Sequence, residues 1–158
     1  MRFKQSKPVS TFIRMILAFF VSYGFYLNLS TSPHLPIETP RLMEGESYLH
    51  HVAYGFVYDE THEQAKWIAY CLTKSEAMGV LERSDNFKED PLVNTGTATD
   101  VDYAKSGYDR GHLAPAADMR WSVQSMEESF YYSNMSPQAP SFNRGIWKKL
   151  EEEVRDWA

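Results

Sequence analysis

Ser106-Gly-Tyr-Asp-Arg-Gly-His-Leu-Ala-Pro-Ala-Ala-Asp118 places a histidine two residues after an arginine, in a segment that reads as extended until Pro115 ends it. Alternate side chains of a strand share a face, so Arg110 and His112 project together while Asp109 and Gly111 face the other way. Burying an imidazole or a guanidinium without a partner is costly. Such a face makes a poor core and a good site for a phosphate, which points to chemistry on phosphate esters.

Upstream of this stretch, Val52-Ala-Tyr-Gly-Phe-Val-Tyr58 and Lys66-Trp-Ile-Ala-Tyr-Cys-Leu72 are rich in aromatic and β-branched residues. The polar residues 59–64 between them suit a hairpin connection, so two antiparallel strands are expected, with the folded part starting near Tyr48. Residues 83–108 mix Asp, Asn, Pro, Gly and Thr irregularly and read as a long surface loop, a kind of segment that often carries function. Downstream, helices are expected from Ser122 to about Tyr132, with Ser122 as cap, and from Gly145 to Trp157. In the second of these Ile146, Leu150 and Val154 recur at four-residue steps, an apolar stripe expected to pack inward.

Composition bounds the rest. A chain of 158 residues has room for one domain plus a leader. Its 43% hydrophobic and 15% aromatic content is enough for a packed core, and its charges are spread along the chain, which excludes a largely disordered protein. The net charge is −5; Arg2, Lys4, Lys7 and Arg14 are the only charges before Glu38, so residues 15–158 carry −9. Binding of a polyanion by bulk electrostatics is thereby excluded, and any such partner must be held by a few placed cations or through a metal ion. Cys71 is the only cysteine, so no intrachain disulfide can form; in an apolar strand it is expected to be a buried, inert thiol.

Residues 1–32 read as an export signal or membrane anchor, with a basic start, an apolar run over residues 15–29 and then Ser30-Thr-Ser32. The run is shorter than the roughly 20 residues of a comfortable span, which favours a signal peptide; the missing Ala-Xaa-Ala site favours an anchor, and both stay open. Either way the segment inserts in a membrane during export, and the protein is expected in the cell envelope, the periplasm or the medium. Residues 33–47, with Pro33, Pro36 and Pro40, read as a linker to a domain at 48–158. His34, His50, His51 and His62 have no cysteine or acid spacing of a zinc site and read as surface histidines.

The last helix carries a second pattern. Glu151 and Arg155 lie four apart and share a face, and Asn143 precedes the first turn by two residues, so an amide, a carboxylate and a guanidinium can line one edge. A helix cap with an ordinary surface ion pair would look the same.

The blocks Arg83-Ser-Asp-Asn-Phe-Lys-Glu-Asp-Pro91, Asp102-Tyr103, Ser106–Pro115, Glu128-Ser-Phe130, Ser133-Asn-Met-Ser-Pro-Gln138 and Phe142-Asn-Arg-Gly-Ile-Trp-Lys-Lys-Leu-Glu151, with Arg155, occur in this order. Together they resemble the DNA/RNA non-specific endonuclease family, itself similar to the ββα-metal, or His-Me finger, nucleases. The resemblance runs from about Val52 to Ala158. It implies an α+β fold in which an antiparallel sheet carries a ββα-metal catalytic core, and a Mg²⁺-dependent hydrolase of DNA and RNA phosphodiesters, with Mn²⁺ as a substitute ion. Low sequence preference follows where contacts go to phosphates.

The resemblance also assigns roles. His112 matches the general base, whose ordinary pKa of about 6.5 suits proton uptake near neutrality. Asn143 matches the single protein ligand of the magnesium ion, Glu151 a residue holding a metal-bound water, and Asn134 one that supports that network. Arg83 and Arg155 match arginines that bind the substrate phosphate, and Arg110 is expected at a phosphate or scaffold contact. Family members continue past this last helix, so the sheet is expected to be incomplete at the C-terminus, leaving apolar surface such as Trp157 uncovered. Two rival readings remain: a catalytically inactive nucleic-acid-binding remnant, and a phosphodiesterase acting on small nucleotides. A protein inhibitor is a conceivable partner that the sequence does not reveal.

Overall fold

The computed structural model describes residues 39–158. The leader, with its apolar run at 15–29 and the anchor expected at 12–29, His34 and the first part of the linker lie outside the described residues. Among the described residues no helix is long and apolar enough to cross a membrane.

Chain order runs through two antiparallel sheets. β1 (Tyr48–His50), β2 (Gly55–Asp59) and β3 (Gln64–Ala69) form the first, with β2 central. The predicted hairpin is β2–β3, with Phe56 opposite Ile68 and a register shift between Val57 and Tyr58. β4 (Asp109–His112) pairs with β5 (Met135–Gln138) in the second sheet, with His112 opposite Met135. Around these lie α1 (Lys74–Ala77), α2 (Asp100–Tyr103), α3 (Val123–Glu128), two 3₁₀ turns (Ala116–Met119 and Tyr132–Asn134), and a π-type segment (Phe142–Trp147) leading into α4 (Lys148–Trp157). The fold is α+β with antiparallel strands, as expected.

Tyr54, Phe56, Val93, Ala114 and Met119 make one buried cluster, and Ala116, Met126 and Phe130, with Phe87 against them, make another. The second cluster lies under the site. Phe130 is fully buried and its ring meets His112 edge-on at 4.9 Å, so the apolar core presses on the imidazole from below.

Several expectations change once tertiary contacts exist. The stretch at 83–108 is not pure loop: it contains α2, and Lys88 bridges Tyr131 through Lys88 N to Phe130 O (3.2 Å) and Tyr132 N to Lys88 O (2.9 Å). The helix capped by Ser122 ends at Glu128 rather than near Tyr132, because residues 130–132 are drawn into that bridge. Cys71 is exposed, since β3 ends at Ala69 and the thiol falls beyond the sheet. His51 is buried rather than on the surface, with Nε2 2.8 Å from Asp90 Oδ2, whereas His62 is exposed in the hairpin turn. The stripe on the last helix does not pack inward: Ile146 is 64% and Leu150 47% exposed, and no residue of α4 is buried. Periodicity gave a face, but no element among the described residues covers it. Trp157 is exposed too.

Candidate active site

Strand alternation puts Arg110 and His112 on one face, and both line a single cavity of about 340 Å³. Arg83, Asn143, Arg144, Lys148 and Glu151 line the same cavity, with Pro115, Ala116 and Ala117 as its apolar wall. Residues from three distant stretches therefore converge. Gly111 faces away, as alternation requires, and a Cβ there would lie 2.2 Å from the Gln138 side chain, which would have to move to make room.

Two ties bring the last segment to β4. The Trp147 indole donates to the His112 carbonyl at 3.1 Å. Asp109 accepts from the Arg144 guanidinium through both oxygens (2.6 and 2.7 Å) and from Asn143 Nδ2 at 3.0 Å. A carboxylate only accepts, so the Asn143 amide must turn its nitrogen to Asp109, which leaves its oxygen as the end available to a cation. The π-type segment departs from helical dihedrals at Gly145 (φ −107°, ψ −105°), setting Asn143 and Arg144 off from the axis of α4.

His112 is buried against Phe87 and Phe130. Its Nε2 is enclosed without a hydrogen-bond partner among the described residues. Nδ1 is not among the enclosed atoms and has no hydrogen-bond partner among the described residues, and the ring borders the cavity. Burial, and then the Arg83 cation, push the His112 pKa down to about 3; Asp85 opposes this, and Arg110 adds a smaller lowering effect. The ring is neutral across the physiological range, with an open lone pair at Nδ1 if the proton sits on Nε2.

The cations are each held. Arg83 pairs with Asp85 and lies over the Phe130 ring at 4.8 Å. Arg110 pairs with Asp100, which Tyr132 also contacts, and stacks on Phe87 at 3.9 Å. Glu151 borders the cavity, and burial raises its pKa above the usual carboxylate value, opposed by Arg155.

Two expected site residues do not line this cavity. Arg155 does not line the cavity; it donates to the fully buried Asp118 at 2.7 Å, which also accepts from Tyr70 at 2.7 Å. Buried charge demands a partner, and Arg155 is that partner, fastening α4 to the 3₁₀ turn. Asn134 is fully buried and clamps the chain just beyond the histidine: it accepts from Ala114 N (2.8 Å) and donates to Ala114 O (2.9 Å) and Ser129 O (2.8 Å). It bears on the site through the Ala114 backbone, two residues beyond His112. Conversely, Asp109, Arg144 and Lys148 belong to the site without having been singled out. The alternation that grouped Arg110 with His112 set Asp109 apart, and only the fold shows that Asp109 meets Asn143.

Comparison with known proteins identifies relatives of the chain and of its fold. The chain is similar to "Nuclease EXOG, mitochondrial" of Danio rerio, 41% identical over 115 residues, covering 72% of this chain and 33% of that protein. It is 40% identical over 105 residues to "Endonuclease G, mitochondrial" of Homo sapiens (65% of this chain, 35% of that protein). To a nuclease of Nostoc it is 36% identical over 138 residues (82% and 50%). The chain thus spans between a third and a half of the length of these relatives. Among solved structures, that of an EndoG/EndoGI complex, described as showing the mechanism of EndoG inhibition, superposes with a TM-score of 0.68. It is 34% identical and covers 75% of this chain and 49% of that one. The sequence model of DNA/RNA non-specific endonucleases matches residues 37–158, and the chain belongs to that family.

Proposed function

We propose that this chain carries the catalytic site of a metal-dependent endonuclease that hydrolyses phosphodiester bonds of DNA and RNA. The observation that carries the reading is the convergence of a neutral buried imidazole, an oriented amide oxygen and several cations on one cavity. Family membership supports it.

The residues fit a hydrated Mg²⁺. Asn143 offers one neutral oxygen, Glu151 stands at the same cavity, and magnesium commonly keeps most of its waters. No cluster of three acidic, histidine or cysteine ligands exists among the described residues, so the donors present suit a lightly held, water-rich ion rather than a caged one. When bound, such an ion supplies positive charge to the phosphoryl and leaving oxygens. Asn143 would be its protein ligand and Glu151 the partner of one of its waters.

The chain's own residues do the rest. Arg83 and Arg110 hold the phosphate with their planar guanidinium groups, already fixed by Asp85 and Asp100 and by stacking on Phe130 and Phe87. Nδ1 of His112 takes a proton from the attacking water. An arriving phosphate offsets the two arginines that depress the imidazole, so basicity rises when substrate is present. Arg155 and Asn134 keep α4 and the Ala114 backbone in place.

Incubation of the full chain with supercoiled plasmid in Mg²⁺ or in EDTA tests the proposal. Magnesium-dependent nicking is expected. Binding without nicking favours a silent nucleic-acid-binding remnant, and turnover of small phosphodiesters with intact plasmid favours a nucleotide phosphodiesterase.

A further inference from the structure

Beside the catalytic cavity lie two others that share residues with it. One, about 480 Å³, is bordered by Arg83 and Arg110 against Asp85, Asp100 and Asp109. The other, about 300 Å³, shares Arg83, Ala116 and Ala117 with the catalytic cavity and adds Arg120, Met126 and Glu82. Two cations against three carboxylates make the first a poor path for a second phosphate. Two cations against one carboxylate make the other a better path.

Arg120 differs from the arginines discussed above. Arg83, Arg110, Arg144 and Arg155 each pair with an aspartate, whereas Arg120 has no carboxylate within 4.0 Å among the described residues. Backbone alone orients it: Nε donates to Leu81 O at 2.8 Å and an Nη nitrogen to Val80 O at 3.2 Å. In return, Leu81 N donates to Arg120 O at 3.0 Å, so the 79–81 segment and Arg120 fix each other. At Gly79 a Cβ would lie 2.3 Å from the Arg120 carbonyl carbon, which keeps this approach close. A guanidinium has five donors, and two are used. The remaining three, on a charge that no carboxylate neutralises, are set beside a cavity that adjoins the scissile site.

We infer that the Arg120 cavity is a subsite for a phosphate flanking the scissile one, so that a polynucleotide strand leaves the catalytic cavity past Ala116 and Ala117 toward Arg120. The subsite rests on the nuclease reading for its occupant. It selects polymer over mononucleotide, because only a polymer places a second phosphate there. It carries no base identity, since a phosphate has none.

Binding of a labelled single-stranded oligonucleotide of about 12 nucleotides to the full chain, in EDTA and between about 50 and 200 mM salt, tests the subsite. Arg120→Gln keeps a donor for the Val80 and Leu81 carbonyls while removing the charge; Arg120→Lys keeps the charge. Arg120→Gln is expected to weaken binding about tenfold at low salt and to flatten the salt dependence by about 0.7 in log–log slope, and Arg120→Lys to restore most of both. Should Arg120→Gln fail to fold, Glu82→Gln removes the opposing carboxylate and is expected to tighten binding about twofold. Unchanged affinity and slope in Arg120→Gln, a loss that lysine does not restore, or no tightening in Glu82→Gln each overturn the subsite. The enzyme reading fails separately: Arg120-dependent binding with no nicking in Mg²⁺ leaves the subsite standing and removes the nuclease, whereas nicking with unaltered Arg120→Gln binding does the reverse.

Discussion

Replacing His112 by Asn and following unfolding stability from about pH 7 to about pH 5 probes the electrostatics of the site without needing any turnover. In the unfolded chain the imidazole has its ordinary pKa of about 6.5. In the fold, burial, then Arg83, then Arg110 hold it down to about 3. A depressed histidine contributes stability above its unfolded pKa, and loses it as pH falls, because the unfolded chain takes up a proton that the folded one refuses. Below pH 6.5 the slope approaches about 1.4 kcal/mol per pH unit, which integrates to about 2 kcal/mol between pH 7 and pH 5. The loss stops near pH 3, where the folded ring also protonates. Asp90 and Asp109, whose pKa values lie below the usual carboxylate range, titrate at lower pH and are common to both proteins. Urea unfolding in EDTA should therefore show the wild type losing about 2 kcal/mol more than His112→Asn over this interval. Equal losses would refute the claim that the imidazole is held neutral by burial and two cations.

Asp109→Ala frees the Asn143 amide and the Arg144 guanidinium together; a loss of about 10- to 100-fold in Mg²⁺ affinity is expected, read from the magnesium dependence of nicking, and an unaltered dependence would show that Asn143 needs no orienting partner. Asn134→Ala leaves a buried backbone N–H and two carbonyls without partners, so a loss of about 2–4 kcal/mol is expected in urea unfolding. A loss below about 0.5 kcal/mol would mean that the Ala114 backbone is fixed by other contacts.

The parts legible in the sequence were local ones. Alternation along Asp109–His112 placed Arg110 and His112 on one face, and aromatic runs flanking a polar connection gave the β2–β3 hairpin. What escaped depends on partners far along the chain. His51 is buried because Asp90, 39 positions away, receives it. Arg155 holds the buried Asp118, and Asn134 commits both amide hydrogens to Ala114 and Ser129, so residues suited to a phosphate or a water network also serve the scaffold. The helix stripe at Ile146 and Leu150 shows the converse limit: periodicity identifies an apolar face and is silent on what covers it. Arg144 joined the site only because Asp109 draws it there.

The most direct test of a shared site for His112 and Asn143 is single-turnover plasmid nicking in Mg²⁺ by His112→Ala, Asn143→Ala and the double variant, with folding checked by urea unfolding. If the imidazole and the amide-held cation act on one phosphodiester, each single variant loses at least about 100-fold, and the double variant loses little more than the worse of the two, because residues that work as a unit are not additive. Near-wild-type nicking by either single variant would contradict the account.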